Sequence, residues 1–205
     1  MKTLRDRPLA DPLALMPKRV HEAGGRGSRA FALFQATRQD GPLIWVLPAH
    51  LGEYPLPAGL PHGVADRLHL LRPEGETDVL WCVEEALRNP AVAFVIAEPQ
   101  QPLSLTAGRR LQLAAEAGRT TGLMLIREGA GSNATETRWH CTPMASKTAD
   151  STLHHWSLNK NKKGTSFDWV LHWDGTSSSF RLVSEVGQRN QPSPAPRDRA
   201  LCPDP

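Results

Sequence analysis

The chain has 205 residues, 40% of them hydrophobic and 22% charged, enough to bury one substantial core and too apolar for a disordered protein. Its three cysteines, Cys82, Cys141 and Cys202, are too few and too widely spaced for a disulfide framework or a paired zinc knuckle. No secretory pattern and no apolar run long enough to cross a bilayer is visible, so the expected compartment is the reducing cytoplasm.

The net charge of +3 resides at the ends. Residues 1–19 hold five basic and two acidic side chains and residues 187–205 three and two, which leaves the body at −1. A near-neutral body with basic ends does not match the basic face of an autonomous DNA-binding domain.

In chain order, prolines 8, 12 and 17 predict an extended arm over residues 1–19, anchored by Leu13, Leu15 and Met16. Residues 20–23 read as a short strand, followed by the turn Gly24-Gly25-Arg26-Gly27-Ser28. A helix follows, with Ser28 as its N-cap, Ala30, Phe31, Leu33, Phe34 and Thr37 at helical spacing, and Arg29, Gln35 and Arg38 outside. Leu43-Ile44-Trp45-Val46-Leu47 is continuously apolar and bounded by prolines, the pattern of a central parallel strand covered on both faces. Residues 48–63 form a Pro- and Gly-rich connection and 67–71 another strand.

Residues 75–89 give the clearest helix, capped by Thr77 or Asp78. Val79, Leu80, Val83, Ala86 and Leu87 form its apolar stripe, with Asp78, Glu84, Glu85 and Arg88 toward water. Residues 91–97 are a second buried strand. A helix capped by Thr106 and carrying Leu111, Leu113, Ala114 and Ala115 ends at Gly118, and residues 121–126 are a third buried strand. Strands alternating with helices predict a parallel sheet with helices on both faces over residues 20–126.

Residues 127–137 have the composition of a mobile loop. The period then changes to two: residues 139–144, 155–160, 167–174 and 180–183 read as an antiparallel meander over 138–183, with turns at Lys162-Lys163-Gly164 and Asp174-Gly175. Residues 188–205, rich in Pro, Ser and Arg, are expected to form a disordered tail.

A strand, a glycine turn and a helix make an anion cradle, but a phosphate loop also needs a lysine followed by Ser or Thr. After Gly27 the chain offers Ser28, Arg29 and Ala30. The same stretch spells G-x-G-x-x-A, which in a dinucleotide site needs an acid at the end of the second strand; the nearest, Glu53, lies well into a loop. The glycines read better as a tight strand-to-helix turn. Glu98, after the strand ending at Ala97, reads as a cap or loop charge. His140, His154, His155, His172 and Cys141 match no metal-ligand spacing, and His154 and His155 fall on opposite strand faces.

The row Phe167, Trp169, Leu171 and Trp173 is expected to be the buried face of a sheet rather than a base-stacking platform. Arg138, Lys160, Lys162 and Lys163 are candidate contacts for a phosphate or a partner, with a solvated hairpin tip as the plain alternative. Arg109 and Arg110, in the first turn of their helix, oppose its dipole and are candidates for an acidic partner surface. No G-x-S-x-G elbow and no H-E-x-x-H helix is present.

Several runs carry a resemblance: Arg19-Val20-His21-Glu22-Ala23, Gly41-Pro42-Leu43-Ile44-Trp45-Val46, and Glu76-Thr77-Asp78-Val79-Leu80-Trp81 with Glu84-Glu85-Ala86-Leu87-Arg88. So do Leu105-Thr106-Ala107-Gly108-Arg109-Arg110-Leu111-Gln112-Leu113-Ala114-Ala115-Glu116 and Thr137-Arg138-Trp139. Over residues 17–183 the chain resembles the ImuA family of RecA-like inducible mutagenesis proteins. The resemblance implies an α/β, RecA-like core over residues 20–187, with Gly24, Gly25, Gly27, Ser28 and Arg29 as a degenerate Walker A loop and residues 91–98 as the Walker B strand. Ala49, beside His50, stands where RecA carries its catalytic glutamate, and residues 127–137 look like a curtailed second DNA-binding loop.

Lysine, magnesium-binding hydroxyl and catalytic acid being absent, the expectation is a non-enzymatic protein with no cofactor and no metal. What the resemblance implies is an accessory role in SOS mutagenesis and translesion synthesis. The partners would be an ImuB-like inactive Y-family polymerase homologue, an error-prone replicative-type DNA polymerase and RecA, with any DNA contact indirect or weak and no membrane. A SulA-like inhibitor of the tubulin-like division protein and a nucleotide-binding enzyme are the alternatives.

Overall fold

The computed structural model of the chain describes residues 13–147, 151–162, 164, 166–175, 177 and 179–189. Five short strands alternate with three helices: β1 (Val20–Gly24), α1 (Ser28–Thr37), β2 (Leu43–Val46), β3 (Leu68–Leu71), α2 (Glu76–Arg88), β4 (Phe94–Ala97), α3 (Leu105–Gly118) and β5 (Thr121–Leu125). Four more strands follow, β6 (Thr137–Met144), β7 (Ser151–Asn161), β8 (Ser166–Asp174) and β9 (Ser179–Arg189). All nine join one sheet in the order β3-β2-β4-β5-β1-β6-β7-β8-β9.

The strands from β3 to β6 run parallel and those from β6 to β9 antiparallel. The α/β class with a C-terminal meander is therefore as the period change predicts. Strand β1, one of the two shortest signals in the sequence, is the middle of the sheet and is buried at every residue. The apolar run of β2 has neighbours on both sides but lies one strand from the edge.

The continuous apolar runs follow from cover on both faces. Phe94 and Ile96 of β4 join a core beneath α1 that includes Leu13 and Leu15 of the arm, whereas Val95 and Ala97 join a second core beneath α2 and α3. The meander belongs to the first core. Trp139, Trp156 and Trp169 are at most 2% exposed, and Phe31 of α1 lies 4.9 Å from the ring centres of both Trp139 and Trp156. Aromatic pairs at such distances add about 0.5–1.5 kcal/mol beyond area burial. Trp169 and Leu171 are thus core, as the period-two row predicts.

Several local expectations are corrected. Ser28 is the first residue of α1, whose N-cap is Gly27, and no side chain caps α2 after Gly75. In α3 the cap is Ser104, whose hydroxyl accepts from the Ala107 amide at 3.1 Å, rather than Thr106. Leu113 is 65% exposed instead of core. Gln35 and Glu84, expected outside, are buried, because each has a partner that only the fold supplies: Gln35 donates to the Leu13 carbonyl at 2.8 Å, and Glu84 sits between Arg88 and Arg110. The 48–63 connection includes a single 3₁₀ turn, Pro57–Gly59. Strand β9 continues through Gln188 and Arg189, into the segment expected as tail; residues 190–205, like residues 1–12 of the arm, lie outside the described residues.

Candidate functional site

The carboxyl ends of parallel strands and the amino end of α1 meet at the glycine turn, where an open α/β sheet binds its ligands. Here the turn is closed by the protein itself. Gly25 has φ +89°, a left-handed conformation that favours glycine. A Cβ on Gly25 would lie 2.4 Å from the carbonyl oxygen of Cys141, on β6. The Gly27 amide donates to that same carbonyl at 2.9 Å, the Ser28 amide to Gly25 O at 3.1 Å and the Phe31 amide to Gly27 O at 3.1 Å. Because β6 runs parallel to β1, its backbone comes down on the turn and takes a donor that an anion would need.

Arg29 and Glu98 close the floor. The Arg29 guanidinium donates from Nε to Oε1 and from Nη2 to Oε2 of Glu98, both at 2.9 Å. Trp45 Nε1 adds a third donor to Oε1 at 3.1 Å. Glu98 is 8% exposed, so it is a buried ion-pair partner rather than the cap or loop charge expected. Arg29 also pairs with Glu53, which the long connection carries back to α1. Hydrogen bonding to Glu98, reinforced by Glu53, holds the Arg29 pKa above its ordinary value against the opposing effect of burial. A bidentate guanidinium–carboxylate pair is geometrically specific, and it satisfies the strand-end acid with a side chain.

The candidate basic residues divide. Glu22 of β1 is fully buried. Arg138 Nε donates to its Oε2 at 2.9 Å, the Ser132 amide to Oε1 at 2.8 Å and the Thr135 hydroxyl to Oε2 at 3.0 Å. Lys160 Nζ donates to the carbonyls of Ser132, Asn133 and Thr135 at 2.9–3.1 Å. Lys162 Nζ reaches the Ala134 carbonyl at 3.0 Å. Partial burial, then the neighbouring Arg138, lowers the Lys160 pKa. These cations are committed to folding residues 131–136 around a buried carboxylate, so the loop expected to be mobile is extensively tied down. Lys163 lies outside the described residues. On α3, Arg109 is exposed and Arg110 donates to Glu84 at 2.5 Å.

Beside Glu22, His21 is fully buried. Its Nε2 donates to the Met16 carbonyl at 2.9 Å and its Nδ1 accepts from the Thr137 hydroxyl at 2.7 Å. Burial is the main cause that lowers its pKa to about 4. Of the meander histidines, His140 contacts Thr142, His155 faces Asp168 at 3.6 Å, and His154 is buried against Trp156 and Phe180. Among the described residues no group of three His, Cys, Asp or Glu could hold a metal ion, and no helix is long and apolar enough to cross a membrane.

Sequence reading missed Glu22, Glu84 and Glu98 as the organising carboxylates. For Glu22 the available signal is a charged residue inside a strand flanked by Val20 and Ala23, since a charge on a strand buried on both faces requires a partner.

Of the clefts beside the closed turn, two share Arg29 and Glu98. One, of about 330 Å³, is bordered by Arg26, Ser28, Gln100 and Arg127; the other, of about 160 Å³, by Leu33, Leu47, Tyr54 and Leu56.

No protein-family profile matches the chain. Protein ImuA from each of two Caulobacter vibrioides strains, NA1000 / CB15N and CB 15, is 30% identical to it over 174 residues, spanning 75% of this chain and 70% of the relative.

Proposed function

The chain belongs to the ImuA family, and from that premise we propose that it is a non-catalytic, RecA-like accessory protein of the damage-inducible mutagenesis system. Its role is to scaffold translesion synthesis by joining an ImuB-like inactive polymerase homologue to an error-prone replicative-type polymerase, with RecA as a further partner. The observation that carries the non-catalytic reading is the bidentate Arg29–Glu98 pair. Where a nucleotide-hydrolysing site places a lysine and an acid for phosphate and magnesium, this chain neutralises the acid internally. The Gly27–Cys141 hydrogen bond supports the same conclusion, because it occupies a backbone donor of the turn.

A fold that keeps the sheet and gives up the phosphate chemistry has its surfaces left for binding. Arg109, Arg110 and the exposed Trp81 on α2 and α3 have the residue types enriched in interface hot spots, and exposed Leu113 adds apolar surface on α3. The direct test is co-purification of the full chain with the polymerase-like partner. A stable complex is expected, and a mixture that separates on size exclusion refutes the scaffold. Calorimetry with millimolar ATP should show no binding heat, whereas saturable heat with hydrolysis would refute the non-catalytic reading. Expression alone should leave cell division normal; filamentous growth would favour the division-inhibitor alternative.

A further inference from the structure

We propose that two of the clefts beside the closed turn form one docking groove for an extended segment of a partner protein, carrying a large apolar residue close to an acidic one. This deepens the scaffold reading and rests on it for the identity of the partner. The clefts share Arg29 and Glu98 as a common wall, so a bound chain crosses directly from one to the other.

The apolar half lies between α1 and the long connection after β2. Its floor is buried Leu47 and Leu60, and its rim carries Tyr54 and Leu56, which are 58% and 74% exposed. The connection that carries them is braced in place. The Arg72 guanidinium stacks on the Tyr54 ring at 4.3 Å and donates to the Leu51 carbonyl at 2.8 Å, while Arg29 holds Glu53. The rim is thereby preorganised, which removes part of the ordering cost of binding. A volume near 160 Å³ fits one large side chain and lies below the roughly 300–1,000 Å³ of small-molecule sites.

The other half determines the charge of the occupant. Glu98 in its wall is consumed by Arg29 and Trp45. Arg127 donates to neutral Gln100 at 3.0 Å, and Arg26 is exposed on the turn. The lining of this cleft has three guanidinium groups and one carboxylate, Glu98, which Arg29 holds, so Arg26 and Arg127 carry its excess positive charge, with Glu128 set in the adjoining cleft; the fork geometry of arginine favours a carboxylate ligand. An apolar socket beside a pair of arginines selects a segment that is apolar and acidic in adjacent positions. Complementarity of this kind sets specificity as well as encounter rate.

Tyr54 is the single tyrosine of the chain, so the full chain labelled with fluorotyrosine gives one fluorine NMR signal at the groove. The probes are acetyl-Phe-Gly-Asp-Glu-amide, the same peptide with a second glycine, and their Lys-Lys counterparts. We expect the signal to move saturably with the acidic peptides, with a Kd on the order of 0.1–1 mM, and at least about tenfold less tightly with the basic ones. Leu56→Asp and Arg127→Glu should each weaken binding by about tenfold or more while the melting curve is unchanged. No movement with either acidic peptide up to about 5 mM, equal binding of the basic peptides, or displacement by ATP overturns the groove.

Co-purification with the polymerase-like partner separates this failure from that of the scaffold. Loss of the complex only in the Leu56→Asp/Arg127→Glu variant is expected. Retention in both proteins overturns the groove and leaves the scaffold standing. Absence in both, with peptide binding intact, overturns the scaffold and leaves the groove.

Discussion

Replacing Arg138 by alanine is the most direct perturbation of the charge network at the middle of the sheet. The change removes the 2.9 Å bond from Nε to Glu22 and the 2.9 Å bond from Nη2 to the Ser132 carbonyl. Glu22 remains fully buried between β5 and β6, with only the Ser132 amide and the Thr135 hydroxyl as donors. Breaking a buried ion pair from one side costs about 3–5 kcal/mol. The two surviving donors and the 28% exposure of Arg138, which admits water, place this case at the lower end, at about 3 kcal/mol. For a domain of this size that is a fall in Tm of roughly 6–12 °C.

Gly131 supplies an independent control. A Cβ there would lie 1.9 Å from Cζ of Arg138, and the guanidinium cannot retreat without releasing Glu22 and Ser132. Gly131→Ala should therefore destabilise the wild-type chain by about 1–3 kcal/mol and cost little more once Arg138 is alanine, a coupling that a double-mutant cycle measures. Urea unfolding followed by tryptophan fluorescence provides the assay. An Arg138→Ala stability within about 0.5 kcal/mol of wild type, or additive effects of the two substitutions, would refute the assignment.

Because burial lowers the His21 pKa to about 4 while the unfolded chain titrates near 6.5, the unfolded state binds the extra proton between these values. Its contribution is complete above about pH 6.5 and is lost as pH falls toward 4, on the order of 3 kcal/mol, and His21→Gln should flatten that part of the stability–pH profile. The lowered His154 pKa, caused by burial, acts in the same direction, so a flattening with His21→Gln that is partial is expected and a wild-type profile refutes the assignment. Gly25→Ala forces a side chain against the Cys141 carbonyl and should cost about 3 kcal/mol or more, read by thermal unfolding; a wild-type melting curve would show the turn is not clamped by β6. Burial pushes the Cys141 thiol well above its ordinary pKa and raises Cys82. In a Cys202→Ser background a thiol reagent should modify half-buried Cys82 first and reach Cys141 only on unfolding, which mass spectrometry resolves; simultaneous modification would contradict the buried placement.

Local pattern by itself determined the elements. Apolar continuity located β2, β4 and β5, the change of period marked where the parallel half gives way to the meander, and the residues after Gly27 showed that the turn lacks its lysine. These features are legible because apolar periodicity reports burial of a segment against whatever covers it, independent of what that cover is. Only the tertiary structure decided the partners of the charges. Arg29 meets Glu98 across 69 residues and Glu22 meets Arg138 across 116, and both pairings depend on strand order and register, which no local window contains. The same cause explains the misplacement of Gln35 and Glu84, whose polar side chains signal solvent until the fold brings Leu13 to one and two arginines to the other. The sequence could thus show that the glycine turn lacks a lysine for phosphate; the closure of the turn by Cys141, Arg29 and Glu98 is a product of the packed sheet.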